Sequence, residues 1–270
     1  MSIVERLLEL GRRGERAVLF TVVAGDGAGA KLLVHESGEI MGDAPSELAL
    51  HTGDLLRSGR SRVLDVEERR VFCEVYGPPP RLAVYGAVDL AESLCRAARL
   101  LGWTTIVADA RARFATPERI PSADRLVVEW PGPAFAQIEP DHATAVVVLT
   151  HDDKFDLPAL EAALASEAFY IGALGSRRTQ ARRRERLRES GVDERSFARI
   201  AGPCGLDIGA ESNEETAVSI LAEMLAARAG RDGGPLRDST QRIHVEVEEV
   251  PGTAVATGPT LGIDGGTPAG

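Results

Sequence analysis

The sequence predicts an α/β protein, a Rossmann-like parallel sheet preceded by a small α+β domain. Three observations predict it. From residue 81 onward short aliphatic runs alternate with helical segments, the pattern of a parallel sheet with right-handed crossovers. The run Ala145-Val146-Val147-Val148-Leu149 is continuously apolar, without the alternation of a half-exposed strand, as a strand covered on both faces requires. Pro78-Pro79-Pro80 is a stiff link that cannot continue a sheet, and the pattern upstream of it is different. The expected division is residues 1–77, 81–229 and a loosely held tail over 230–270.

Size and charge narrow the function classes. A chain of 270 residues with a hydrophobic share of 44% can build a real core. Its formal net charge of -10 argues against a nucleic-acid partner held through phosphates. No stretch has the apolar length needed to span a bilayer, and Met1-Ser2-Ile3-Val4-Glu5 lacks the order of a secretion signal, so the expectation is a cytoplasmic protein with no membrane partner. Cys73, Cys95 and Cys204 are scattered and form no CxxC pair, which disfavours a disulfide frame or a structural zinc site.

In order along the chain, apolar spacing predicts a short helix over residues 3–10, stopping at Gly11. Strands are expected at 17–24, 31–34, 63–66 and 71–75, with a glycine-rich turn at 25–29 and a helix at 46–56. Beyond the prolines come strands at 82–85, 104–108 and 125–130, with a helix at 90–101 between the first two. The stretch 144–187 follows as strand, acid-rich turn, helix from 159 to 165, second strand at 169–174 and an arginine-loaded helix. A last helix is expected at 216–228, its start capped by Ser212 in a capping-box-like Ser-Asn-Glu-Glu. After Gly230 the composition turns to Gly, Thr and Pro, apart from the run 242–247.

Candidate chemistry collects where the carboxyl ends of parallel strands would deliver it, the edge at which open α/β sheets bind ligands. Thr150-His151-Asp152-Asp153-Lys154-Phe155-Asp156 is a cluster of titratable groups. His151 and Lys154 are the candidate proton donors, and Asp152 with Asp156 could hold a divalent ion. Gly175-Ser176-Arg177-Arg178-Thr179 opens a helix with a glycine, a small hydroxyl residue and two arginines, which is the recipe for an anion cradle. The competing reading is a plain helix start with a solvated basic face, since Arg182, Arg183, Arg184, Arg186 and Arg188 continue the charge. The loop 201–210 contains Gly205 and Asp207, the latter a candidate for orienting a ligand, while Cys204 is either a small buried hydrophobe or a sulfur or metal ligand.

The first turn of the parallel part reads Gly86-Ala87-Val88-Asp89-Leu90-Ala91, and Asp109 follows at the interval of a ribose-binding acid. Val88 stands where a dinucleotide fingerprint needs glycine, and Asp89 puts negative charge at the helix start. Gly86 is therefore a tight-turn glycine first and a cofactor contact second. Without a cofactor, Asp109 would pair with Arg111 or Arg113.

In order and spacing, Val148 through Asp156, Tyr170 through Thr179 and Gly205-Leu206-Asp207-Ile208-Gly209-Ala210 resemble the XdhC/CoxI family of xanthine dehydrogenase accessory proteins, a likeness that runs from about residue 81 to 228. The resemblance implies a Rossmann-type domain in a homodimeric, non-catalytic protein that binds molybdenum cofactor (molybdopterin). It implies as partner a molybdenum hydroxylase of the xanthine or carbon monoxide dehydrogenase type, with a cysteine desulfurase as a further candidate. Family members often carry Gly-Gly-Cys and Cys-Gly-Gly in the small domain. Here the regions read Gly42-Asp43-Ala44-Pro45-Ser46-Glu47 and Glu67-Glu68-Arg69-Arg70, without a thiol. The alternatives are an NAD(P)-dependent oxidoreductase, in which Asp109 holds the ribose, and a scaffold that has kept the sheet and lost the ligand.

Overall fold

In the computed structural model, residues 1–240 are described, and the expectation for the run 242–247 lies outside them. Helix α1 (Ile3–Arg13) starts on a reciprocal capping box between Ser2 and Glu5. The expected stop at Gly11 is corrected: the helix runs through it and ends at Gly14, φ 68°, whose N–H bonds the carbonyls of Gly11 and Leu10. A helical glycine costs only about 1 kcal/mol, whereas the left-handed cap satisfies orphan carbonyls.

Strands β1 (Ala17–Ala24), β2 (Lys31–His35) and β3 (Ile40–Gly42) precede a 3₁₀ turn at Ser46–His51 that runs into α2 (Thr52–Ser58), followed by β4 (Arg62–Val66) and β5 (Arg69–Tyr76). They form an antiparallel sheet in the order β3-β2-β1-β5-β4. Its core face carries Val18, Phe20, Val22, Leu32, Val34, Val71 and Cys73, covered by Leu48, Leu55 and Leu56. On the other face Ala17, Leu19 and Leu33 pack with Leu10 of α1, so the first half of β1 is buried on both sides. Strand β3 was not anticipated, because three residues show no period.

The second sheet is parallel. It contains β6 (Arg81–Tyr85), α3 (Asp89–Leu100), β7 (Thr104–Ala108), β8 (Arg125–Val127), α4 (Pro131–Ile138), β9 (Thr144–Val148), α5 (Asp153–Leu164), β10 (Tyr170–Ala173), α6 (Arg177–Glu189), α7 (Glu194–Phe197), β11 (Ile200–Ala201) and α8 (Asn213–Ala229). The order β11-β10-β9-β6-β7-β8 reverses between β6 and β9, the doubly wound arrangement with its switch point there. Alternate residues of β6 face opposite layers. Leu82 and Val84 pack with Leu94, Ile220 and Met224 of α3 and α8, whereas Ala83 and Tyr85 pack with Phe135, Phe155 and Leu160 of α4 and α5.

Two expectations in this sheet are corrected. The strand expected to Trp130 ends at Val127, because Pro131 occupies the first turn of α4 and holds Trp130 extended as its N-cap. Helix α5 starts at Asp153 and not after Pro158: the Asp152 side chain accepts the Lys154 N–H and nucleates it early. Pro158 forfeits one helical hydrogen bond, but the burial of Phe155, Ala159, Leu160 and Ala163 outweighs it. The acid-rich turn is thus the first turn of a helix.

The two sheets meet at the amino edge of the parallel strands. There buried Arg16 donates to the Pro78 carbonyl at 3.0 Å and lies 3.8 Å from Asp141, which also faces Arg81 at 3.3 Å.

Candidate functional site

The parallel register pairs Tyr85 with both Ala108 and Val148, Val148 with Ala173, and Gly172 with Ala201. The chain therefore leaves β6, β7, β9, β10 and β11 on one rim. Gly86, Asp109, the His151–Asp156 segment, the Gly175–Thr179 helix start and the Gly205–Asp207 loop are all carried there, as the residue pattern requires.

At the centre of this rim lies a buried polar group of three. Asp156, 1% exposed, accepts from the Thr150 hydroxyl and pairs with the Arg183 guanidinium, also 1% exposed. The remaining Arg183 nitrogens, Nε and Nη1, are buried without a partner. Nη1, and Cβ and Cγ2 of Thr179, each lie 3.2 Å from the point that a Cβ on Gly175 would occupy, and Gly175 has φ 148°. A buried guanidinium normally satisfies its donors. Here two are left open, and one of them faces the glycine that opens α6.

The mouth of α6 is shaped locally. Ser176 caps the helix by accepting the Thr179 N–H at 3.1 Å, and its hydroxyl also meets the Thr179 hydroxyl. Among the described residues, the N–H groups of Arg177 and Arg178 have no acceptor, and both side chains are exposed and outside any ion pair. The arginines further along are differently engaged. Arg182 pairs with Asp153 at 2.9 Å, and Arg184 pairs with Glu194. Of the arginines that the sequence offered as a solvated basic face, Arg183 is instead buried.

The first turn of the sheet is built in the opposite sense. Gly86, φ 115°, is needed for contact with the protein itself, since a Cβ there would stand 2.9 Å from the Thr150 methyl and 3.1 Å from its backbone nitrogen. Asp109 accepts from the Ala87 N–H at 2.9 Å and holds the Arg111 guanidinium through both carboxylate oxygens, while the Arg111 N–H adds a further bond. Burial disfavours its charge, yet Arg111 and the two backbone donors outweigh that and hold its pKa below the ordinary carboxylate range. The acceptor positions of Asp109 are filled, as in the pairing with Arg111 that the sequence offered for a cofactor-free turn. Val88 caps α3 with extended backbone, and Asp89 pairs with Arg119 at 3.0 Å.

His151 is exposed and takes φ 59°, a left-handed conformation that costs a non-glycine residue about 1–2 kcal/mol. Asp152 is exposed beside it. In the glycine-rich loop, Gly205 packs against α8, where a Cβ would come within 2.5 Å of the Ser219 hydroxyl, and its N–H donates to Glu223 at 2.7 Å. Tyr170 donates to the same Glu223 oxygen. Asp207 is exposed at the loop's outer side, with no partner among the described residues.

The metal candidates do not assemble. Asp156 is sealed against Arg183, Asp152 caps α5, and Cys204 lies buried against Gly172 with its thiol pushed up to about 12 by burial. A thiol so raised is neutral at physiological pH and a poor ligand. Among the described residues no group of three or more His, Cys, Asp or Glu side chains is placed to hold an ion. Burial raises Cys73 and Cys95 in the same way, to about 11 and about 12.

Two features of the rim were not read from the sequence. One is the role of Thr150 as hydroxyl donor to Asp156. The other is the aromatic pair of Trp130 and Phe155, whose rings lie 5.2 Å apart. The one signal for it was a tryptophan directly before Pro131 at a strand end. No described helix is long and apolar enough to cross a membrane.

A family model described as the XdhC Rossmann domain matches residues 82–224. Over 165 residues the chain is 34% identical to uncharacterized protein YqeB of Escherichia coli, covering 61% of this chain and 30% of that protein. Over 158 residues it is 33% identical to a Bacillus subtilis protein named as a probable xanthine dehydrogenase subunit, covering 58% and 46%. Over 153 residues it is 32% identical to the molybdenum cofactor insertion chaperone PaoD of Escherichia coli, covering 57% and 42%. The chain spans less than half the length of each of these curated relatives in the matched region. The crystal structure of a xanthine dehydrogenase from Bacillus halodurans shares the fold, with a TM-score of 0.62 at 24% identity over 84% of this chain and 66% of that one. With its parallel sheet and more than half its length matched, the chain belongs to the XdhC family.

Proposed function

We propose that this chain binds molybdenum cofactor, or a closely related anionic pterin or nucleotide, at the mouth of α6 and assists the maturation of a xanthine dehydrogenase-type molybdenum hydroxylase. The observation that carries the reading is the buried Arg183 guanidinium, with two unpartnered nitrogens, behind a glycine at a helix start. A phosphate at the mouth would accept from the open N–H groups of Arg177 and Arg178, while the two exposed guanidinium groups close over it and the buried Arg183 adds positive charge behind it. The residues present fit such an anion. His151, Asp152 and Asp207 stand exposed on the same rim as hydrogen-bonding groups for the polar edge of a pterin. In keeping with this, one relative is named a molybdenum cofactor insertion chaperone and another is named for xanthine dehydrogenase itself.

In this reading the cofactor is cargo. The chain acts as a homodimer in the cytoplasm and hands its cargo to a hydroxylase of the xanthine or carbon monoxide dehydrogenase type, a cysteine desulfurase supplying sulfur nearby. It turns over no metabolite, so His151 and Lys154 act as contacts and not as proton donors. The competing NAD(P) oxidoreductase is disfavoured by the filled acceptors of Asp109 and by Val88 at the first turn.

Heat protection tests the choice. Isolated molybdenum cofactor is expected to raise the unfolding temperature of the purified chain, with no comparable response to NAD or NADP. Tight NAD binding with no effect of the pterin would overturn the ranking.

A further inference from the structure

Three loops that leave the same rim build a feature that the anion mouth does not use. The turn after β8 delivers Trp130, 48% exposed. The first turn of α5 delivers Phe155, stacked at a tilt behind Trp130, and Lys154, whose Nζ lies 4.8 Å from the Trp130 ring centre. The segment after β7 delivers Arg111, 4.3 Å over the Phe114 ring and 5.4 Å over that of Phe155.

Trp130 is exposed but not loose. Its backbone is held as the N-cap of α4 before Pro131, the adjacent Glu129 carbonyl accepts from Tyr85 at 3.1 Å, and buried Phe155 backs the ring. A half-exposed indole on a fixed support, with the Lys154 ammonium beside its ring, is preorganised for a flat anionic partner. The charges select the sign of that partner: Arg111 is neutralised by Asp109, whereas Lys154 is exposed and outside any ion pair among the described residues. The α5 turn that sets Lys154 over Trp130 also sets Asp153 against Arg182 and Asp156 against Arg183 of α6. The first turn of α5 thus borders both the indole and α6.

We infer that Trp130 is a stacking platform for the planar heteroaromatic ring of the ligand, a pterin or a nucleobase, whose anionic group sits at the mouth of α6. The inference rests on the reading proposed above and adds to it the part of the ligand that is recognised by shape. Stacking tolerates either ring, because each has a π face, and Lys154 follows the negative charge of whichever is bound.

The test uses the full chain and three probes, pterin-6-carboxylate, GMP and inorganic phosphate, titrated calorimetrically into wild type, Trp130→Ala, Trp130→Phe and Arg177→Ala/Arg178→Ala. Acrylamide quenching of tryptophan fluorescence is read in parallel, since the chain has two tryptophans and Trp103 is buried. Trp130→Ala is expected to weaken the ring ligand about tenfold or more and to leave phosphate binding unchanged. Trp130→Phe retains most of the affinity, and bound ligand shields Trp130 from acrylamide. The tighter of the two ring probes identifies the source of the ring. If Trp130→Ala binds both ring probes as wild type does and Trp130 stays accessible, while Arg177→Ala/Arg178→Ala weakens them, the platform is overturned and the mouth stands. If wild type binds none of the three probes, the proposed function falls and the platform with it.

Discussion

Two helix starts on one rim show how the same device is opened or closed. After β6 and after β10 the chain passes through a glycine at positive φ into the first turn of a helix, Gly86 into α3 and Gly175 into α6. At the first, the Ala87 N–H is held by Asp109, the glycine's free side is filled by Thr150, and Asp89 adds a negative charge. At the second, Thr179 stands against the glycine in a similar way, but Ser176 takes one N–H, two remain open, and three arginines surround the turn, one of them buried with unused donors. Topology makes both turns capable of binding an anion. In the proposed reading the side chains decide which one does. Thr150 links them, since its methyl fills the Gly86 turn while its hydroxyl supports the Asp156–Arg183 pair beneath the other.

The largest expected effect breaks that support. Asp156→Ala would leave Arg183 as a buried, uncompensated charge and is expected to cost about 3–5 kcal/mol in urea unfolding. A loss below about 1 kcal/mol would mean that Arg183 escapes to solvent and that the mouth is not prebuilt. Next, Gly86→Ala and Gly175→Ala should each destabilise by about 1–3 kcal/mol through their positive φ and close contacts. Only Gly175→Ala should also abolish pterin-dependent heat protection; equal loss of ligand response in both would erase the contrast between the turns.

A smaller effect is read from pH. Asp109 has a folded pKa below its unfolded value, so its contribution is present above the unfolded carboxylate value and is lost as pH falls through the folded one. The window lies below about pH 4. Wild-type stability should fall there, and Asp109→Asn should flatten that part of the profile without changing ligand affinity. An unchanged acid limb would show that Asp109 is not held as described. The smallest effect belongs to the exposed pair of Arg184 and Glu194: Arg184→Ala should change stability by at most about 1 kcal/mol and anion binding hardly at all.

The closed turn was legible in the sequence because its signals are local. Val88 in place of glycine, Asp89 at a helix start and Asp109 beside Arg111 each state their consequence within a few residues, and so does Ser212, which caps α8 in the expected capping box. The open turn was legible only in part. Ser176, Arg177 and Arg178 announce a helix start with positive charge, but in the run from Arg182 to Arg188 nothing local distinguishes Arg183. Its burial is decided by Asp156, which lies 27 positions away. Asp156 was itself misplaced for a related reason: Pro158 suggested that no helix could begin before it, while the cap by Asp152 had already turned the chain and pointed Asp156 inward. The same limit applies to Trp130, whose partner Phe155 arrives from another strand end. Strands and covering helices follow from periodicity, whereas pairings across the rim follow from topology.

The central claim is that an anion is taken at the α6 turn and not at the α3 turn. Calorimetric titration with isolated molybdenum cofactor, comparing wild type with Arg177→Ala/Arg178→Ala, tests it most directly. The account predicts saturable binding to wild type that weakens by at least about tenfold in the double variant, as expected on losing two charge-assisted contacts. Undiminished affinity in the double variant would contradict it.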